Sequence, residues 1–250
     1  MILVLSYYLL NTFSYIFRAS PIRLSIFMIK NNSIYTSLCV LFSVLIVMGN
    51  LIYQKFVFLP VLPFYTFELS VGALIYPLTF LLTDLITEFY GKGKASFCIK
   101  MGVCINILVA CLIISLDQLE ATPWSKVDTA TFHRVFGSYS VAFIGSILAC
   151  YVAQLIDVNL YLWIRKLTKE RWLWVRNNGS TAVSLFIDTT IVITFMTLFQ
   201  ILPFNRMGSL IMDSYLFKFS FSLCSTPLFY LCVKIIKSLQ SKEEINYDFA

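Results

Sequence analysis

Six stretches of about 20 apolar residues, at 34–53, 67–86, 97–116, 139–161, 181–202 and 210–233, are each long enough to cross about 30 Å of hydrocarbon. Hydrocarbon offers no water to backbone N–H and C=O groups, so a spanning segment is a helix or part of a closed barrel. Here the apolar residues come in unbroken runs and lack the alternation of barrel strands, which leaves helices. Composition agrees. The chain is 59% hydrophobic and 13% charged, whereas a soluble domain is about half apolar and about a quarter charged. The expected fold is an all-α polytopic membrane bundle of about six transmembrane helices.

Basic residues gather where the apolar runs end. Arg18, Arg23, Lys30, Lys92, Lys94, Lys100, Arg165, Lys166, Lys169, Arg171, Arg176, Lys234, Lys237 and Lys242 fall on one side; Lys55, Lys126, Arg134, Arg206 and Lys218 are assigned to the other. The positive-inside rule then places both termini in the cytoplasm. The same clustering accounts for a net charge of +6 without a nucleic-acid partner. Residues 1–33 form an N-terminal segment that is interfacial, an extra helix, or absent if translation starts at Met28. Residues 34–237 form the transmembrane domain and 238–250 a solvated cytoplasmic tail. Pro77 and Pro227 interrupt the second and sixth runs. Such breaks are tolerated where neighbours or a wet cavity satisfy the freed carbonyls, and they often sit where a solute binds.

A carboxylate at the centre of a spanning helix costs about 2.5–3.5 kcal/mol on insertion scales, so each acid inside a run asks for a partner or a hydrated cavity. Asp84 and Glu88 share a helical face with Thr87, with Lys92 and Lys94 as alternative ion-pair partners. Asp157 shares a face with Gln154 and has Arg165 or Lys166 as alternatives. Asp188 lies about two turns inside the fifth run, on a face with Thr181 and Ser184. That run opens on Arg176, Asn177, Asn178, Gly179, Ser180 and Thr181. Asn178 or Ser180 is expected to cap the helix, whose free N–H groups would hold anionic or carbonyl groups.

Trp172 and Trp174 read as an interfacial belt, and His133, the single histidine, as a surface residue. The seven cysteines read as buried small hydrophobes. One histidine and scattered cysteines suggest no metal site and no cofactor. The sequence contains no GxxxxGK[ST], GxSxG or HExxH, so neither an ATP-driven pump nor a hydrolase is expected of the chain by itself.

The run Tyr76-Pro-Leu-Thr-Phe-Leu-Leu-Thr-Asp84-Leu-Ile-Thr-Glu88-Phe-Tyr-Gly-Lys92 resembles the signature of the queuosine precursor transporter family, also called vitamin uptake transporters. Two further blocks are similar to that family: Phe132–Ser138, and Gln154–Asp157 through Leu173–Thr181 with Ile187–Thr189. The resemblance covers roughly residues 34–233. It implies a secondary transporter of the inner (plasma) membrane, importing a 7-deazaguanine such as preQ0, preQ1 or queuine for tRNA modification. The expected partners are that small molecule and the lipid bilayer, and a homo-oligomer is compatible with the sequence. A guanine-like edge offers N–H donors beside a carbonyl. Carboxylates of Asp84, Glu88, Asp157 and Asp188 suit the donors; amides of Gln154, Asn177 and Asn178 suit the acceptor. With Arg176, Ser180 and Thr181 these are the candidate substrate-binding residues, and Phe80, Phe89 or Phe186 are candidates to stack on the ring. Two other readings stay open: a membrane subunit of an ATPase-energised importer, or a membrane scaffold or enzyme with structural buried acids.

Overall fold

The computed structural model describes residues 21–62, 65–137 and 139–248, so the expectations for residues 1–20 lie outside the described part. The chain divides into two compact units, Met1–Ser37 and Leu38–Ala250. Helix α1 (Pro21–Ile52) runs through the boundary between them. The second unit continues with strands β1 (Phe56–Leu62) and β2 (Tyr65–Ser70), a short helix α2 (Gly72–Ile75) and the long α3 (Pro77–Asp117). After a loop come the single turn α4 (Thr129–Phe132), the π-helical segment His133–Gly137, α5 (Tyr139–Leu167), α6 (Leu173–Leu198) and α7 (Met207–Asp248).

Five helical segments among the described residues are long and apolar enough to cross a bilayer: Ser33–Ile52, Gly72–Asp117, Phe143–Leu167, Leu173–Leu198 and Phe204–Leu239. The second holds 46 residues, about 70 Å as one helix, roughly twice the hydrocarbon thickness. Gly91 divides it. Its backbone lies at φ 76°, ψ 178°, a region essentially open to glycine alone. Residues 77–90 and 92–117 are therefore separate helices, and the six expected apolar helices are recovered as α1, the two parts of α3, α5, α6 and α7.

The element boundaries correct the sequence reading at three places. The second run does not begin as helix at Phe67: Phe67 is paired with Leu59 in an antiparallel hairpin. Aromatic and β-branched residues favour that pleated surface, and α7 pins it, because Asp213 accepts from the Tyr65 hydroxyl (2.5 Å) and the Glu68 backbone N–H (3.3 Å). Pro77 does not kink a helix interior but opens α3 at its first turn, where the missing N–H has no intrahelical partner to lose. Finally, α6 starts at Leu173, with Trp172 at its N-cap, so neither Asn178 nor Ser180 caps it and both lie inside the helix. The apolar Leu173, Trp174 and Val175 extend the helical run backwards, leaving the polar block to find partners on neighbouring helices.

Helix α5 packs between the first part of α3 and α6, with Phe80, Ala153 and Leu185 forming a buried cluster. The first helix approaches α2 at a glycine crossing, where a Cβ on Gly72 would come within 2.4 Å of the Gly49 carbonyl oxygen. Three of the cysteines expected to be buried, Cys104, Cys111 and Cys224, are exposed on outer helix faces. A thiol is apolar enough to face lipid as readily as core.

Candidate functional site

Along α3 and the residue before it, Tyr76, Asp84 and Glu88 recur at multiples of four. On α6, Arg176, Asn177, Thr181, Ser184 and Asp188 line one face. The two rows meet in antiparallel order: Tyr76 with Asp188, Asp84 with Thr181, Glu88 with Arg176. The result is a polar seam with three tiers, completed by α5 and α7.

In the tier nearest the hairpin, Asp188 is 2% exposed. It accepts from the Tyr76 hydroxyl at 2.7 Å and from Lys218 Nζ at 3.0 Å. Lys218 also donates to Thr189 Oγ1 at 3.1 Å and stands 4.8 Å from the Tyr76 ring centroid. The lysine was assigned from sequence to the side opposite the basic clusters, as though in a loop. It is instead buried within α7, because Asp188 compensates its charge. This tier forms the floor of a cavity of about 90 Å³ that reaches the hairpin end through Tyr53, Phe56 and Ser70. Asn50 and Ser146 add polar wall. Ser146 donates to Asn50 Oδ1 at 2.6 Å, and the Asn50 amide donates to Asn106 at 3.3 Å.

At the opposite end, near Gly91, Glu88 is held from three sides. Arg176 Nη2 lies 2.5 Å from its Oε1, the Tyr161 hydroxyl donates at 2.9 Å, and Arg165 Nη1 stands 3.8 Å away. Arg176 is further fixed by the Glu170 carbonyl at 3.1 Å. The sequence placed Glu88 against Lys92 or Lys94; its cations come from the α5–α6 end instead.

Between these two neutralised tiers stand Asp84 and Asp157, both fully buried and close enough to interact electrostatically. Thr181 offers Asp84 a long hydroxyl contact at 3.5 Å. Among the described residues neither acid forms an ion pair, whereas Glu88 and Asp188 each do. Asp84 Oδ1 and both Asp157 oxygens have no hydrogen-bond partner, and neither does the buried hydroxyl of Ser184.

The remaining predicted residues divide. Gln154 is buried and committed, accepting from Thr83 at 2.7 Å and donating to Thr79 at 3.1 Å. Asn178 is tied to Thr226 of α7 at 2.9 Å and to the Trp174 carbonyl at 3.1 Å. Ser180 donates to the Asn177 carbonyl, while the buried Asn177 Oδ1 is unpartnered. Of the aromatic candidates, Phe80 packs edge-on against Tyr76 at 5.6 Å, Phe89 is half-buried, and Phe186 faces outward, half exposed, against Tyr215. Residues the sequence reading missed are Tyr76, Asn50, Asn106, Ser146, Lys218 and Thr226. A signal for the last two was present: Ser214, Lys218, Ser222 and Thr226 recur every four residues along α7, a polar stripe in an apolar run.

Apolar helices around a charged internal seam, with a cavity leading into it, define a polytopic membrane protein of the transporter class. Residues 70–232 match the family described as "Putative vitamin uptake transporter". The chain is also 31% identical over 168 residues to the "Probable queuosine precursor transporter" of Bacillus subtilis (strain 168), a match covering 67% of this chain and 72% of that protein. The chain belongs to this family of membrane transporters. No solved structure matches it.

Proposed function

We propose that the protein is a secondary carrier of the inner (plasma) membrane that imports a 7-deazaguanine queuosine precursor for tRNA modification. The name of the Bacillus relative supports the substrate class, and the observation that carries the reading here is the cavity floored by Asp188, Lys218 and Tyr76. A guanine-like edge carries N–H donors next to a carbonyl. Asp188 is an acceptor for the donors and Lys218 a donor for the carbonyl, side by side on the cavity floor. The Tyr76 ring, already facing a cation, gives a flat base an aromatic wall.

The charge distribution supports an orientation. Lys92, Lys94, Arg165, Lys166, Lys169 and Arg171 crowd the Gly91 end, which the positive-inside rule assigns to the cytoplasm. The cavity then faces outward, and a base that releases Asp188 from Lys218 enters a seam leading past Asp84 and Asp157 to the Glu88–Arg176 pair. Both termini would lie in the cytoplasm.

The test is rescue of tRNA queuosine in a strain that neither makes nor imports precursors, fed preQ0, preQ1 or queuine separately. The wild-type chain restores queuosine with at least one base. Asp188→Asn and Lys218→Met reduce initial uptake of that base while membrane insertion is unchanged. Wild-type uptake in both variants would reject the assignment of this cavity.

A further inference from the structure

We infer that Asp84 and Asp157 form a proton-carrying pair that couples uptake to the transmembrane proton gradient, an inference that rests on the carrier reading above. The two carboxyl groups are fully buried and close enough to interact electrostatically. Ionised carboxylates only accept hydrogen bonds, so a bond between two of them exists only when one carries a proton. The alternative, two bare charges side by side in the low-dielectric interior, is the arrangement that like-charge repulsion and desolvation both oppose.

The surroundings supply no other counter-charge. From α3 the charged neighbour is Glu88, itself an acid; from α5 come the Tyr161 phenol, which donates to Glu88, and Arg165, which is shared by Glu88 at 3.8 Å and Glu170 at 3.3 Å. From α6 comes Arg176, held by Glu88 at 2.5 Å. The cation that α7 buries, Lys218, is engaged by Asp188 at 3.0 Å. Each flanking tier thus uses its own cation, and the middle tier has none among the described residues.

An independent observation points to an occupant. The Ser184 hydroxyl is fully buried and unpartnered on the α6 face that looks at Asp157, as are both Asp157 oxygens and Asp84 Oδ1. A buried hydroxyl left idle beside idle carboxyl oxygens marks a place where a hydrogen-bonded species comes and goes.

In the cycle, a proton from the outer solution forms an O–H bond on one carboxyl and is shared with the other. The bond breaks to inner-side water when the seam opens past Glu88, about 6 Å further along α3. Net transfer is one proton in with the base, and no other bond changes.

The full chain, purified and reconstituted in liposomes, tests this in two steps. Infrared difference spectra are expected to show a protonated-carboxyl band that shifts in Asp84→Asn and Asp157→Asn and is absent from the double variant. Labelled preQ1 is then followed with the membrane potential clamped by potassium and valinomycin. An acid-outside step of one pH unit supports up to about tenfold accumulation for one proton per base. The two Asn variants are expected to unfold in micelles at the wild-type temperature, showing that they fold, and to lose the pH-driven accumulation. No such carboxyl band in the wild type, accumulation driven by a sodium gradient instead, or pH-driven accumulation surviving in either variant would overturn the inference. Absence of wild-type counterflow with every base would instead sink the carrier reading, and the infrared band would still decide whether the pair holds a proton.

Discussion

Replacing Lys218 with Met and Asp188 with Asn, singly and together, measures how far the cavity floor depends on compensation of one buried charge by the other. The Lys218 side chain is 8% exposed and that of Asp188 2%, with Nζ and Oδ2 3.0 Å apart. Removing one partner of such a pair typically costs about 3–5 kcal/mol, because the survivor stays buried and charged, whereas neutral replacement of both is often close to neutral. Lys218→Met leaves Asp188 the Tyr76 hydroxyl at 2.7 Å. Asp188→Asn leaves Lys218 the Thr189 hydroxyl and the Tyr76 ring, a cation–π contact worth about 2 kcal/mol when desolvated. Both single losses should therefore fall near the low end, about 3 kcal/mol. The double variant should lie within about 1–2 kcal/mol of the wild type. Reversible unfolding of the purified protein in micelles gives the four stabilities. The double variant should be stable and still fail to transport, having lost the acceptor for the base. Additivity within about 0.5 kcal/mol would refute the reasoning, since independent sites behave that way.

Gly91→Ala should destabilise by about 1–3 kcal/mol through backbone strain alone, because a Cβ there would meet nothing within 4 Å. Gly93→Ala, equally open but helical, should be neutral or stabilising by about 0.5–1 kcal/mol in the same unfolding assay; equal effects at the two positions would disprove the strain argument. Thr226→Val removes the partner of the buried Asn178 amide and should cost about 0.6–1.7 kcal/mol, the range for interhelical hydrogen bonds in membranes. Outside the spans, the Thr131 hydroxyl and N–H hold the Asp128 carboxyl below the ordinary carboxylate range. A carboxyl depressed in the folded state stabilises above its unfolded pKa and loses that contribution as pH falls through its folded value. Amide exchange across Thr129–Phe132, corrected for intrinsic rates, should accelerate in that acid window and show no such step in Asp128→Asn.

The spans were legible because each is an apolar run of bilayer length, and that pattern survives any detail of packing. Gly91 was legible only as a small residue beside lysines; its role as the divider depends on a dihedral that composition does not encode. The hairpin was hidden because Phe67 and Leu69 read as apolar helix in a window that continues into α3. The individual acids were conspicuous, since any carboxylate in an apolar run stands out against its cost. Their partners were not, because pairing is long-range: Glu88 finds Arg176 and Asp188 finds Lys218, whereas nearest-neighbour reasoning offered Glu88 Lys92 or Lys94 and counted Lys218 with the residues on the far side of the membrane. Lys218 was the costliest omission, since a lysine inside an apolar run invites relocation to its end, while the polar stripe at Ser214, Ser222 and Thr226 says that it stays.

Glu88 and Asp188 lie toward opposite ends of the seam, each matched by a cation of its own. Under the proposed carrier reading a passing solute would have to separate those pairs, each of which would then act as a barrier. Asp84 and Asp157 sit between them, about 12 Å along the helix from Tyr76 and about 6 Å from Glu88, and no cation is spent on them among the described residues. A single basic residue in this tier would still leave two carboxylates for one cation, with one negative charge unbalanced. Leaving it without a cation makes this fully buried tier the one whose charge must be settled from outside, by a proton. Two buried carboxyls cannot both stay bare, and under the carrier reading that constraint is what would tie movement of the base to movement of a proton.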